Sequence, residues 1–140
     1  MTKPHLDHVG FVVADLEAAL DLFERAFDLK PTAIKDKSAI GLKLALLELA
    51  NVKLELIEFS QTAGEFKDIL GQEPGSSHLS LEVQDMARAV DRLETSGVKL
   101  AAGFPRPGSR GPMAFTQRPT AQGLLFELFQ IDSDPEGGRS

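Results

Sequence analysis

The chain has 140 residues, a length that predicts one compact body or two small halves sharing a core, and its 42% hydrophobic and 26% charged residues are typical of a globular protein. Its net charge of −6 argues against nucleic acid or an anionic membrane as a partner, and its lack of cysteine excludes disulfides and thiolate metal sites. The sequence contains no apolar run near the roughly 18 residues of a membrane span. Residues 1–5 lack the apolar segment expected of a signal peptide and the Arg-rich helix expected of a transit peptide. We therefore expect a cytoplasmic protein.

The first half of the chain is predicted to form a strand, a helix and a pair of strands. Residues 6–13 alternate between apolar and other side chains, which is the period of a half-buried strand. Asp15 is the expected N-cap of a helix whose apolar residues recur at steps of three and four. Two further strands, GLKLALLELA (41–50) and VKLELIEF (52–59), are separated by Asn51, which predicts a β-hairpin. Glu48 and Glu58, which fall near strand ends, are expected to be solvated.

The second half repeats this order after a connecting segment. Within that segment Glu65–Leu70 is expected to form a short helix. A strand from about residue 76 then leads to Asp85, the expected N-cap of a helix that Gly97 ends. The candidate strands after this helix are residues 98–103, 112–117 and 123–131.

The two halves align with each other. SSHLSLEVQDMARAVDRL matches LDHVGFVVADLEAALDLF without a gap, which places His78 on His8 at an offset of 78 − 8 = 70. VKLELIEF matches LLFELFQ with Glu127 on Glu55, an offset of 127 − 55 = 72. Each half therefore carries one histidine on its first strand and one glutamate on its last. Pairing of two such units around a pseudo-twofold axis would bring all four side chains together.

Two imidazoles and two carboxylates predict a site for a divalent metal ion. This donor set suits Co²⁺, Ni²⁺, Zn²⁺, Mn²⁺ or Fe²⁺, with open positions for water or substrate, whereas calcium prefers an all-oxygen shell. The alternative is that each glutamate faces solvent and each histidine is a hydrogen-bonded core residue. The matched register of both pairs favours the metal site.

Four segments carry a resemblance to a known family. LDHVGFVVADLEAALDLF, NVKLELIEF, SSHLSLEV and GLLFEL resemble landmarks of the vicinal oxygen chelate (glyoxalase/bleomycin resistance/dioxygenase) superfamily. The resemblance implies an α+β fold in which two tandem βαβββ modules form a cupped, barrel-like mixed sheet around a central metal. It implies one domain over residues 1–140, with modules at about 5–59 and 76–131, a linker at 60–75 and a disordered tail at 132–140. By the same resemblance the metal ligands are His8, Glu55, His78 and Glu127.

Within the superfamily, the linker and the closing segment FPRPGSRGPMAFTQRPTAQGLLFELFQ are similar to those of methylmalonyl-CoA epimerases. This implies a small-molecule substrate, a methylmalonyl-CoA-like acyl thioester, whose α proton is removed through a metal-stabilised enolate. Epimerisation needs a base on each face of the planar carbon. In the family one base is the final-strand glutamate, here Glu127, and the other is a glutamate near the position of Lys43 or Leu44. Glu48, Lys43 or a metal-bound water would then serve the second face, and we take Glu127 and Glu48 as the catalytic candidates.

Two other functions are open. A glyoxalase I-like lyase would use the same ligands and the same enolate chemistry. A ligand-sequestering protein of the bleomycin-resistance type would generally lack the metal ligands, so the four candidates argue against it, while the missing acid near residue 43 favours it. An extradiol dioxygenase is disfavoured because the chain has no tyrosine. Exposed apolar faces on a cupped sheet favour a homodimer.

Overall fold

A computed structural model describes residues 3–60, 64–71 and 73–131. Its strands are β1 (His5–Val12), β2 (Ala33–Lys37), β3 (Leu42–Glu48), β4 (Lys53–Phe59), β5 (Ser77–Glu82), β6 (Arg106–Pro107), β7 (Pro112–Phe115) and β8 (Phe126–Phe129). Its helices are α1 (Leu16–Phe27), α2 (Glu65–Leu70) and α3 (Met86–Thr95). The chain order gives two βαβββ series, which confirms the predicted α+β class.

The strands form a mixed sheet with the hydrogen-bonded order β2-β3-β4-β1-β5-β8-β7-β6. β1 pairs with β4, and β5 with β8, in parallel, because in each series a helix connects the first strand to the later ones. The pairs β2–β3, β3–β4, β6–β7 and β7–β8 are antiparallel. Among the described residues no helix is long and apolar enough to cross a membrane.

The chain forms two compact units, residues 8–78 and residues 79–131 together with 3–7. In the first unit α1 packs on one face of β3 and β4, where Leu16, Ala45, Leu47 and Leu56 are buried. In the second unit a separate core contains Met86, Ala114 and Leu128. The predicted module boundaries stay a prediction, and the predicted disordered tail at 132–140 lies outside the described residues.

The N-terminus of α1 is bound by a side chain from β4. Asp15 caps the helix as predicted, and its carboxylate accepts from the Ala18 amide at 3.1 Å. In addition, the Leu16 amide donates to Glu58 Oε1 at 2.9 Å. The expectation that Glu58 is solvated is therefore wrong, because its carboxylate satisfies an amide that has no partner within the helix.

The same arrangement recurs at α3. Asp85 accepts from the Arg88 amide at 3.1 Å, and the Met86 amide donates to Gln130 Oε1 at 2.6 Å. The offsets are 86 − 16 = 70 for the helix amides and 130 − 58 = 72 for the strand side chains. These equal the histidine and glutamate offsets, so the internal repeat extends to the helix caps.

The main departure from the predicted elements follows α3. Residues 98–103, predicted to form a strand, contain only an isolated bridge from Leu100 to Thr116 within the described structure. The Phe104 amide instead bonds to the Ala101 carbonyl at 3.3 Å, which turns the chain at a segment of small residues with low β-propensity. The first strand after α3 is instead the two-residue β6. Gly97 has a φ of 90°, consistent with its predicted place just beyond the helix.

Candidate metal centre

Three of the four predicted metal ligands converge within the unit formed by residues 8–78. One nitrogen from each of His8 and His78 and one oxygen from Glu55 all lie within 4.8 Å of one another. The two histidines are 7% and 4% exposed, and the Glu55 side chain is 17% exposed. The cluster is therefore nearly closed to solvent, although its carboxylate can still be reached.

The strand register explains this convergence. β1 and β4 run parallel with Gly10 opposite Glu55, and His8 lies two residues from Gly10 on the same face of β1. The chain before β5 returns beside β1, where the Val12 amide donates to the Ser76 carbonyl at 2.8 Å. This pairing carries His78 onto the same face as the other two side chains.

Gly10 provides the space for the His78 ring. A Cβ atom added at Gly10 would lie 2.0 Å from Cε1 and 2.6 Å from Nε2 of His78, far inside van der Waals contact. Any side chain at this position would displace the imidazole. The alternation of residues 6–13 places Gly10 on the same face of β1 as His8, but it does not predict this role, which depends on a close approach between distant residues.

The distances within the cluster suit a divalent cation. The Nε2 atoms of the two histidines are 3.3 Å apart, and their rings are edge-on at 86°. Metal–nitrogen bonds of about 2.0–2.1 Å in a tetrahedral shell place two nitrogens about 3.3–3.4 Å apart. Glu55 presents Oε2 to His8 and Oε1 to His78, each at 3.7 Å, so a shift of a few tenths of an ångström would bring it to ligand distance. The three donors therefore fit such an ion.

Glu127, the fourth predicted ligand, lies on β8 in the other unit. It is directly opposite Ser80 across the parallel β5–β8 pair, and the Ser80 hydroxyl donates to Glu127 Oε1 at 2.6 Å. Ser80 is fully buried. Glu127 is not a member of the three-residue cluster, and its roles as fourth ligand and as base stay predictions.

The register also bears on the second catalytic candidate. Glu48 is exposed at the end of β3, on the same face as Leu46, which lies opposite Glu55. Its strand position therefore agrees with a catalytic role on the face that carries Glu55. The catalytic role itself stays a prediction. Lys43 lies opposite Glu58, on the face covered by α1, so the alternation of β3 argues against Lys43 as the base.

Comparison with known proteins gives the class to which this fold and cluster belong. The chain is a member of the Glyoxalase/Bleomycin resistance protein/Dioxygenase superfamily, whose model matches residues 7–116. This confirms the predicted superfamily.

A named relative agrees with that membership, and solved structures share the fold. The chain is 32% identical over 130 residues to the ethylmalonyl-CoA/methylmalonyl-CoA epimerase of Cereibacter sphaeroides, covering 90% of this chain and 97% of the relative. A hypothetical protein from Bacillus halodurans C-125 has a TM-score of 0.78 at 25% identity, over 97% of this chain and 100% of that one. Methylmalonyl-CoA epimerase from Mycobacterium tuberculosis has a TM-score of 0.72 at 24% identity, over 91% and 87%.

Proposed function

We propose that this protein is a divalent-metal-dependent epimerase that inverts the α carbon of methylmalonyl-CoA or a similar 2-substituted malonyl thioester. The observation that carries the proposal is the buried His8–Glu55–His78 cluster, in a chain 32% identical to a relative named as an ethylmalonyl-CoA/methylmalonyl-CoA epimerase. The predicted homodimer and cytoplasmic location belong to the same proposal.

His8, His78 and Glu55 would hold the ion, with Glu127 as the proposed fourth ligand. Co²⁺, Ni²⁺, Zn²⁺, Mn²⁺ and Fe²⁺ all accept this mixture of nitrogen and oxygen donors. When bound, the ion supplies a Lewis acid for the oxygens of the substrate. The low exposure of both histidines supports a site from which water can be largely excluded.

Glu127 is the proposed base on one face of the substrate. Its Oε1 accepts a hydrogen bond from the buried Ser80 hydroxyl, which supports a carboxylate held in one orientation toward the α proton. In that step the C–H bond breaks, an O–H bond forms on Glu127, and the electron pair remains on the substrate. Glu48 is the proposed acid that returns a proton to the opposite face, so the α carbon is inverted. Glu127 then releases its proton to solvent and Glu48 takes one up, which restores both carboxyl groups for the next turnover.

The test is deuterium exchange at the α carbon of methylmalonyl-CoA in deuterated buffer. The protein is first stripped with a chelator and then reloaded with Co²⁺ or Zn²⁺. We expect deuterium incorporation in the loaded protein, loss of exchange on stripping, and recovery on reloading. If no malonyl-CoA derivative incorporates deuterium under any metal, the epimerase proposal fails, and the glyoxalase I-like or ligand-sequestering alternative takes its place.

A further inference from the structure

Arg110 is held in a fixed position in the glycine-flanked loop between β6 and β7. Its Nη1 and Nη2 donate to the two carboxylate oxygens of Asp7 at 3.2 and 3.0 Å. Its Cζ also lies 4.0 Å above the Phe129 ring, within the range of a cation–π contact. Because the bidentate pair and the stack restrain the side chain together, the guanidinium is pre-organised.

A small cavity joins this arginine to the proposed base. The cavity has a volume of about 50 Å³ and is lined by Gly108, Ser109, Arg110, Gly111, Met113, Glu127 and Phe129. Among these residues Arg110 carries the positive charge and Glu127 the negative charge. A water needs about 10–15 Å³ of such volume, so the cavity has room for about three water-sized groups, which is the size of a carboxylate.

Arg110 has donors beyond those that bind Asp7. The Asp7 carboxylate takes one N–H from each terminal nitrogen, and the Nε–H and the second N–H of each terminal nitrogen remain as donors. The Nε edge of a guanidinium can accept a second carboxylate in a bidentate pair. The Arg110 side chain is 44% exposed, so a ligand can reach it.

We propose that Arg110 binds the free carboxylate of the substrate beside Glu127. This inference rests on the proposed function and deepens it by naming the residue that would select malonyl thioesters over simple acyl thioesters. In a malonyl thioester the carboxylate is attached to the carbon that loses its proton, so a substrate placed against Glu127 has its carboxylate near this cavity. The phosphates of coenzyme A are separated from that carbon by the whole pantetheine arm. A protein with a net charge of −6 also needs a local cation to hold an anionic substrate.

The test compares two ligands that differ by the carboxylate. Dissociation constants for methylmalonyl-CoA and propionyl-CoA are measured by calorimetry on the metal-loaded wild type, Arg110→Gln and Arg110→Lys. Arg110→Gln should raise the dissociation constant of methylmalonyl-CoA by about tenfold or more, since the bonds lost are charge-assisted. It should change the dissociation constant of propionyl-CoA by less than about twofold. Arg110→Lys, which keeps the charge but not the bidentate geometry, should fall between wild type and Arg110→Gln.

Arg106 offers a matched control. Its Cζ lies 4.1 Å above the Phe104 ring, so Arg106→Gln removes the same charge from a similar aromatic stack that does not line the Glu127 cavity. It should leave the ratio of the two dissociation constants unchanged. The metal dissociation constant of Arg110→Gln should match wild type. Its thermal unfolding midpoint should fall because the Asp7 ion pair is lost, and circular dichroism checks that the variant is folded at the temperature of the titration.

The outcomes separate this inference from the proposed function. If Arg110→Gln weakens both thioesters equally, or neither, Arg110 does not bind the carboxylate, whether or not the wild type exchanges deuterium. A further outcome is that the wild type exchanges no deuterium while Arg110→Gln still abolishes the wild-type preference for methylmalonyl-CoA over propionyl-CoA. In that case the epimerase proposal fails and the carboxylate site stands.

Discussion

The Ser80 hydroxyl donates a 2.6 Å hydrogen bond to Glu127 Oε1 across the parallel strands β5 and β8. The equivalent pair in the first series is Gly10 opposite Glu55, where the glycine offers no donor. Although the repeat places a glutamate on the last strand of each series, the two carboxylates have different neighbours. Glu55 faces two imidazoles, whereas Glu127 has one oxygen bound by a buried hydroxyl. This difference supports a ligand role for Glu55 and a proton-transfer role for Glu127.

Ser80→Ala should lower kcat by about 10- to 100-fold, because the carboxylate of Glu127 loses the bond that orients it. KM and metal content should stay near wild type, since Ser80 itself contacts neither substrate nor metal in the proposed mechanism. Steady-state kinetics and metal analysis give these values. Thr116→Val is the control: its buried hydroxyl accepts from the Phe126 amide at 3.1 Å, so the variant should lose stability with little change in kcat. A wild-type kcat in Ser80→Ala would rule out the orienting role.

Gly10→Ala should weaken metal binding by about 10- to 100-fold, the range seen when a ligand loses its support. The new methyl group would occupy the space of the His78 ring and displace its Nε2. Competition with a chelator for Co²⁺ measures the dissociation constant.

Gly64→Ala serves as the control for this substitution. A Cβ at Gly64 would lie 3.8 Å from the Ile40 carbonyl oxygen, which is ordinary contact, and its φ of −161° is extended backbone. Gly64→Ala should bind metal as wild type does. An unchanged dissociation constant in Gly10→Ala would mean that His78 is not a ligand.

Glu127→Gln should reduce deuterium exchange by about 10²–10⁴-fold, since an amide cannot accept the α proton. The variant should keep a larger fraction of the wild-type metal content than of the wild-type exchange rate, because the amide oxygen can still coordinate the metal. Glu48→Gln should slow inversion more than exchange, since the proton on the Glu127 face could still be removed and replaced. Exchange and inversion are followed in the same samples by mass spectrometry and chiral analysis. Equal loss of metal and activity in Glu127→Gln would assign Glu127 to coordination alone.

Glu58→Ala should lower the free energy of unfolding by about 1 kcal/mol, because the Leu16 amide loses its acceptor at the start of α1. Glu58→Gln keeps a carbonyl oxygen at the same position, as Gln130 does for α3, and should retain most of that stability. Urea denaturation of the three proteins gives the comparison. If both variants lose the same free energy of unfolding, the negative charge of Glu58 stabilises the protein, and its hydrogen bond to the Leu16 amide does not.

The internal repeat made much of the fold predictable from the sequence. The alignment of His8 with His78 and of Glu55 with Glu127 predicted the strands that carry them, and the structure brings three of these side chains together. The space over Gly10 could not be predicted, because it depends on how closely two strands approach. The cap at Glu58 depends equally on where β4 ends relative to α1. Residues 98–103 have an apolar start like the other strands, but their tertiary context leaves one bridge at Leu100.

The most direct test of the metal centre is an anomalous difference map from crystals of the protein loaded with Co²⁺, recorded at the cobalt absorption edge. We predict a peak about 2.0–2.3 Å from the Nε2 atoms of His8 and His78 and from a carboxylate oxygen of Glu55. A Glu127 oxygen at the same distance would establish the fourth ligand. A fully occupied cobalt peak elsewhere in the molecule, with the two imidazoles still hydrogen-bonded to each other, would contradict the proposed metal centre. It would also contradict the epimerase mechanism that depends on that centre.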